Sequence, residues 1–406
     1  MRNIAIIGGG ASGLMAALTA ARSGAHVTIY EHNQSVGKKI LASGNGRCNI
    51  INTTASADDY VGADPHFVEY ALKQLPFAAF ESFCHSIGFL LDIKEDGRCY
   101  PFSNEAKSVV LAFKTAVLDA GVTILTEKKV TALSKTKNRF LVESDQEKRH
   151  YDKVLIATGS EAAPQLGACD DGYRFARGFG HEILPTYPSL VQLHLTSKIH
   201  HKMAGVKTHA HVTLLIDGKS KGKTEGDILF ASYGISGLAI LDISQKASFA
   251  LMKKQRVAIT LNLLPHYDPL TLNDVLMRLF ASVPHYSAET LLCGLLPAKT
   301  VPYLLGDAAI SPTKSVSALT AKEIHQLIHM IQNWKFEVSD THGFKHAEVS
   351  GGGVSTAQIN NKTMESKHVE GLYFAGEVLD IVGRRGGYNF NFAWASGMIA
   401  GKEMAK

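Results

Sequence analysis

The chain has 406 residues, 45% of them hydrophobic and 19% charged, with no low-complexity tract. That excludes a disordered or fibrous protein and leaves room for two or three domains. Five scattered cysteines form neither a Cys-x-x-Cys pair nor a ligand quartet, which argues for a reducing compartment and against structural zinc; the formal charge of +5 is too mild to mark a nucleic-acid protein by itself.

Residues 4–21, IAIIGGGASGLMAALTAA, are uncharged and follow Arg2, much as a signal peptide would. Three consecutive glycines would break a signal helix, and no later apolar run is long enough for a bilayer, so a cytoplasmic protein without membrane association is expected. Residues 3–7, NIAII, read as a buried parallel strand, and Gly8, Gly10 and Gly13 follow in G-x-G-x-x-G order before an apolar helix over 14–22. A second strand, HVTIYE, ends in Glu31, eighteen residues past Gly13. This order has a mechanism. Gly8 permits the turn, Gly10 lets backbone N–H groups approach a pyrophosphate, and Gly13 lets helix pack on strand. Ala11 and Ser12 lie at the helix N-terminus, whose partial positive charge favours phosphate, and Glu31 is placed to accept hydrogen bonds from a ribose.

The segment 35–49, SVGKKILASGNGRCN, is a second glycine-rich loop, with Lys39, Ser43, Gly44, Arg47 and Asn49 as candidate cofactor contacts. A plain nicotinamide domain has no use for such a loop; a ligand running from ribose to flavin does. KVTAL at 129–133 reads as an edge strand that brings Val130 to the cofactor. YDKVLIATGS, 151–160, reads as a strand ending in an Ala-Thr-Gly turn, Thr158 and Gly159, similar to the turn that flavoproteins place beside the pyrophosphate.

From about Tyr187, SLVQLHL, HAHVTLLIDGK and KTEGDILFAS alternate with the period of strands, and 271–282, 288–297 and 320–334 read as amphipathic helices. RGFGHE, 177–182, lacks the third glycine of a second dinucleotide motif, so NAD(P)H is expected only as a transient electron donor. Residues 188–340 carry 15 Lys and Arg against 11 Asp and Glu. After Trp334 the flavin pattern resumes. GLYFAGEVLD, 371–380, reads as a strand whose end, Gly376 and Glu377, meets the ribityl chain. The loop 382–389, with Gly386, Gly387, Tyr388 and Asn389, and then Phe390, leads into a helix expected over 391–402. The N–H groups there would face the flavin and stabilise its reduced, negative form. The cofactor expected is non-covalent FAD.

Together GGGASGLMAA, GKKILASGNGRCN, GRCYPFSNEAKSVV, LFASYGISGLAIL, AEVSGGGVSTAQINNKTMES and GLYFAGEVLDIVGRRGGYNFNFAWASG resemble bacterial FAD flavoproteins of the aminoacetone oxidase-like or bile-acid-inducible N-type family, whose relatives include ribosomal RNA dihydrouridine synthases. The resemblance spans nearly the whole chain. It implies an α/β architecture: a glutathione-reductase-like (Rossmann) FAD domain over 1–187 and 341–406, interrupted by an insertion over 188–340. Within the insertion, 188–264 and 299–319 would form a small β-barrel, 265–298 a helical subdomain and 320–340 a return helix. Asn45 stands where relatives commonly have Gly, Leu238 where Pro is usual, and Arg384-Arg385 is more basic than in many relatives.

Cys48 is the sharpest catalytic candidate: it lies in the second glycine loop beside Arg47, whose charge would lower a thiol pKa. The competing reading is a packing cysteine. Tyr388 is the other candidate, and Asn389 either lines the flavin or shapes the loop. Arg384, Arg385, Arg98 and Tyr100 are candidate substrate contacts. No metal site is expected, and His200 and His201 read as surface residues. Three functions stay open: NAD(P)H-driven reduction of an activated C=C bond, with a bile-acid enone or uridine in large-subunit ribosomal RNA as substrate; oxidation of a small amine such as aminoacetone; and a non-catalytic flavin-bearing RNA-binding factor. The basic insertion tilts the first toward RNA.

Overall fold

The computed structural model describes residues 1–145 and 147–406. They form two compact units, Met1–Tyr187 with Val349–Lys406, and Pro188–Glu348. The first unit opens with β1 (Asn3–Ile7), α1 (Ala11–Arg22) and β2 (His26–Tyr30). Four consecutive apolar residues, Ile4 to Ile7, are all buried, as a parallel strand covered on both faces requires. Helix α2 (Ala106–Asp119) leads to β3 (Thr123–Leu125), an antiparallel meander over Val130–Thr136, Arg139–Ser144 and Glu147–Tyr151 follows, and β4 (Lys153–Ile156) returns beside β1.

The second unit is built on a closed six-strand barrel. Its strands are β5 (Leu193–Leu195), β6 (Lys207–Ile216), β7 (Lys219–Ala231), β8 (Gly234–Ser236), then, after helix α3 (Leu238–Met252), β9 (Val257–Asn262). Three helices follow: α4 (Pro269–Ser282), α5 (Ala288–Leu292) and α6 (Val301–Asp307). Helix α7 (Ala321–Asn333) then hands over to β10 (Trp334–Thr341), which closes the barrel in the order β5-β8-β7-β6-β9-β10.

Four sequence expectations change here. Residues 299–319 belong with the helices and not with the barrel, because Val301, Leu304, Leu305 and Ala308 recur at helical spacing and are all buried. The return segment is helical only to Asn333; beyond it Trp334, Phe336 and Val338 point inward while Lys335 and Glu337 stay exposed, a period of two. The helix expected over 288–297 stops at Leu292, just before Gly294. The first unit resumes at Val349, since the chain past β10 stays with the barrel: the His342 ring stacks on Tyr233 at 4.0 Å.

Two last elements complete the first unit, β11 (Leu372–Phe374) and α8 (Tyr388–Ala405). The central sheet is parallel throughout, in the order β11-β4-β1-β2-β3. Ile4 to Ile7 pair with Lys153 to Ile156 on one side and with Val27 to Tyr30 on the other. Helix α8 lies directly on α1: a Cβ at Gly397 would stand 2.4 Å from the Ser12 carbonyl oxygen, and one at Gly401 2.4 Å from that of Ala16. No described helix is long and apolar enough to cross a membrane.

Candidate functional site

The carboxyl ends of β1 and β4 meet at the glycine turn. Gly8 has φ +108°, and a Cβ there would stand 2.4 Å from the Ala157 carbonyl oxygen; one at Gly13 would stand 2.0 Å from the Gly8 oxygen. Strand, turn and helix are therefore in backbone contact, which only glycine permits. Gly10 differs: it is the N-cap of α1, with no side chain capping the helix, and a Cβ there would meet nothing within 4 Å. The first N–H groups of α1 thus border open space, the arrangement that receives a diphosphate. Gly159, φ +74°, borders open space as well, whereas Thr158 is packed against Gly172. This cradle fits the pyrophosphate of FAD.

Glu31 is 6% exposed. Its Oε2 accepts from Gly9 N (2.9 Å), and its Oε1 accepts from Asn33 N and Nδ2 (both 2.8 Å). The acid clamps the turn to the chain beyond β2, and Oε2, which accepts only from Gly9 N among the described residues, keeps a second lone pair for a ribose hydroxyl. His32, Asn33, Gln34, Ser35, Lys38 and Glu127 line an open groove at this end.

The second glycine loop turns tightly, with positive φ at Gly44, Asn45, Gly46 and Cys48. Asn45, at φ +55°, takes the left-handed conformation that Asn tolerates best after Gly, which accounts for its place in a glycine position. Cys48 is fully buried, and burial pushes its thiol up to about 12 against a smaller lowering by Ser43. Burial therefore favours the packing reading of Cys48 over an activated thiol. Arg47 is adjacent only in sequence: its guanidinium lies over the Tyr100 ring at 5.2 Å. Arg98 pairs with Asp96 instead (Nε–Oδ2 2.6 Å). The Asn49 amide, oriented to suit its neighbours, donates to the carbonyls of Cys99 and Ile51 at 3.2 Å. Val130 is an interior residue at the start of the meander.

Glu377 gathers three segments. Its Oε2 accepts from Lys39 Nζ (2.7 Å), and its Oε1 from Ser160 Oγ (2.6 Å) and Ser350 N (3.0 Å). Gly376 sits against α1, where a Cβ would stand 2.6 Å from Ser12 Oγ. Asp380, not singled out from the sequence, accepts from Ala63 N (2.7 Å) and Gly352 N (3.1 Å). Burial raises its carboxyl above the usual range, while those donors pull the other way. Only its place in the GEVLD run after a strand hints at this role.

Helix α8 begins at Tyr388, three residues before the expected Asn391, after Gly387 at φ +97° and Gly386 at φ +126°. Asn391 instead exchanges hydrogen bonds with the Asn52 backbone, accepting from N (2.7 Å) and donating to O (3.1 Å). Asn389 shapes the loop: its Oδ1 accepts from Gly383 N (2.8 Å) and its Nδ2 donates to Gly383 O (2.9 Å). Phe390 stacks on Trp394. The Tyr388 hydroxyl lies 3.3 Å from Arg384 Nη2, and Arg384 also forms an ion pair with the buried Asp59. Arg385 follows it, half-buried. In the other unit His200 is a correction: it is 2% exposed, with burial lowering its pKa, while His201 is exposed.

A family model described as the HI0933-like protein Rossmann domain matches residues 2–403. Among known proteins, the 3-dehydro-bile acid delta(4,6)-reductase of Clostridium scindens is 35% identical over 100% of both chains. The ribosomal RNA dihydrouridine synthase of Haemophilus influenzae is 33% identical over 96% of this chain and 95% of its own. The solved 3-ketosteroid delta1-dehydrogenase of Sterolibacterium denitrificans covers 100% of each chain at 12% identity and a TM-score of 0.50, a likeness of fold alone.

Proposed function

Since the chain belongs to the HI0933-like Rossmann family and is an FAD-dependent oxidoreductase, we propose that it saturates a carbon–carbon double bond conjugated to a carbonyl. The substrate we assign is uridine in large-subunit ribosomal RNA, which becomes dihydrouridine. One observation carries the reaction type: two relatives that match from end to end are named for saturating such a bond, one in a steroid acid and one in a pyrimidine. The basic excess of residues 188–340 favours the RNA.

When bound, FAD supplies hydride through N5, with NAD(P)H as the donor that restores it. The backbone of Gly8, Gly10, Ala11, Ser12 and Gly13 would hold the pyrophosphate, and Glu31 would accept from the ribose. Lys39, fixed by Glu377, and Gly159 would add to the same cradle, and the α8 N-terminus from Gly387 to Phe390 would favour negative charge on the reduced ring. Saturation also needs a proton on the carbon next to the carbonyl. We assign that role to Tyr388, whose hydroxyl accepts from Arg384 Nη2 at 3.3 Å. Cys48, fully buried with a thiol near 12, is not. Tyr100, Arg384 and Arg385 are assigned to the substrate.

The test uses purified holoenzyme, NADH or NADPH, and transcribed large-subunit rRNA, followed by nuclease digestion and mass spectrometry. A uridine heavier by two hydrogens is expected. The 35% identity to the bile-acid reductase favours a second reading, reduction of a steroid enone. Enone turnover with unmodified RNA would establish it, and flavin reoxidised only by oxygen after reduction by an amine would point to an oxidase.

A further inference from the structure

We propose that the tip of the β6–β7 hairpin and the turn after α3 form one phosphate-binding surface for ribosomal RNA, an inference that rests on the RNA reading of the substrate. Lys219, Lys221 and Lys223 are all exposed at the start of β7. The β6–β7 register shifts between Leu214 and Leu215 and leaves Lys221 at a β-bulge, so the three lysines cluster around the hairpin tip and do not line one face of the strand. Lys253, Lys254 and Arg256 are exposed on the turn between α3 and β9. Asp217, at the hairpin tip, latches that turn beside these lysines. Its Oδ2 accepts from Gln255 Nε2 (2.9 Å), its Oδ1 accepts from Arg256 N (3.1 Å), and its N donates to Arg256 O (2.8 Å).

Six cations therefore share one end of the barrel, and none forms an ion pair among the described residues. Farther along the same hairpin the pattern reverses: Lys207 pairs with Asp227 (2.6 Å), and His209 and His211 with Glu225 (3.1 and 2.9 Å). An ordinary soluble surface intersperses the two signs. Here neutralisation is confined to one stretch of the hairpin and withheld from its tip, and the acid at the tip is engaged by a side-chain amide and a backbone N–H. A polyanion is the complement of such a cluster of cations.

The test compares wild-type holoenzyme with Lys219→Gln/Lys221→Gln/Lys223→Gln and with Lys253→Gln/Lys254→Gln/Arg256→Gln. Binding to transcribed large-subunit rRNA is measured over a salt series, alongside dihydrouridine formation and NAD(P)H-driven reduction of the bound flavin. Each variant should bind RNA at least about tenfold more weakly near 0.1 M salt, with a log–log salt slope shallower by about 2, because each lost phosphate contact removes roughly 0.7. KM for RNA should rise, with kcat and flavin reduction unchanged. Unchanged affinity and slope in both variants, with wild-type enzyme active on RNA, would sink the surface assignment. So would a loss of binding confined to anionic vesicles or to an acidic polypeptide. A wild-type enzyme that reduces enones and leaves RNA unmodified would instead overturn the functional reading.

Discussion

Gly10 and Gly13 are glycines for opposite reasons. A side chain at Gly13 collides with protein, 2.0 Å from the Gly8 oxygen, whereas one at Gly10 projects into open space from an ordinary backbone conformation (φ −80°, ψ −168°). Gly10→Val should therefore fold, with a melting temperature close to that of wild-type apoprotein, and emerge from purification colourless. Gly13→Ala should lose about 1–3 kcal/mol to overpacking, read by denaturant titration. A yellow Gly10→Val protein would move the pyrophosphate elsewhere. The same contrast separates Cys48 from Tyr388. Beside Arg47 the cysteine reads as an activated thiol, yet neighbours along a loop do not share an environment, and the arginine goes to Tyr100 while the sulfur goes to the core. Cys48→Ala should keep its oxidative half-reaction with substrate near the wild-type rate. Tyr388→Phe should retain FAD and slow that step by about 10²–10⁴-fold, the scale of a lost general acid. An unimpaired Tyr388→Phe enzyme would pass the proton to water or another group.

At the scale of elements, α8 is fixed at its start by residues far back in the chain. Asn391→Ala removes both hydrogen bonds to the Asn52 backbone and leaves a buried N–H without its partner, at a cost of about 1–3 kcal/mol. Because the same contact aims the first turn of α8, FAD affinity should fall with stability; urea titration and FAD titration read the two effects. Stability lost with FAD affinity intact would show that the helix start does not touch the cofactor. This contact also explains what the sequence conceals. The helix is expected to start at Asn391, since nothing local reveals that its amide is taken by residue 52 and that the helix already runs from Tyr388. The strand–glycine–helix–strand run at the front was readable because its logic is local: every residue it needs lies within 31 positions. Glu377 was readable as a site residue but its partners Ser160 and Ser350 were not, being separated from it by 217 and 27 residues. The barrel shows the same divide. The alternation of β6 and β7 is explicit, whereas residues 299–319 are given to the barrel by resemblance alone, and the burial of Val301, Leu304, Leu305 and Ala308 exposes a helical stripe there.

At the scale of the whole molecule there are two hydrophobic cores, one in each unit, so unfolding need not be a single two-state event. Each core holds a buried histidine. Burial lowers the pKa of His181 to about 4 and lowers that of His200 as well. A neutral buried histidine gives the unfolded chain the greater proton affinity. Its stabilisation is therefore complete above the unfolded value of about 6.5 and is lost as pH falls toward 4. Calorimetry of the apoprotein at pH 7.5 and pH 5 should accordingly show both units melting earlier in acid. On the proposed reading FAD would act on one unit, because the cradle assigned to it is built from residues of Met1–Tyr187 and Val349–Lys406. A ligand that binds only the native state, at a hundred times its Kd, stabilises by about 2.7 kcal/mol. Added FAD should then move one calorimetric transition to higher temperature and leave the barrel's transition where it was. Gly10→Val, which blocks the cradle without disturbing the fold, should abolish that shift and nothing else. An equal upward shift of the whole profile would mean that the two cores unfold as one cooperative body, and a shift that survives Gly10→Val would place FAD outside the cradle.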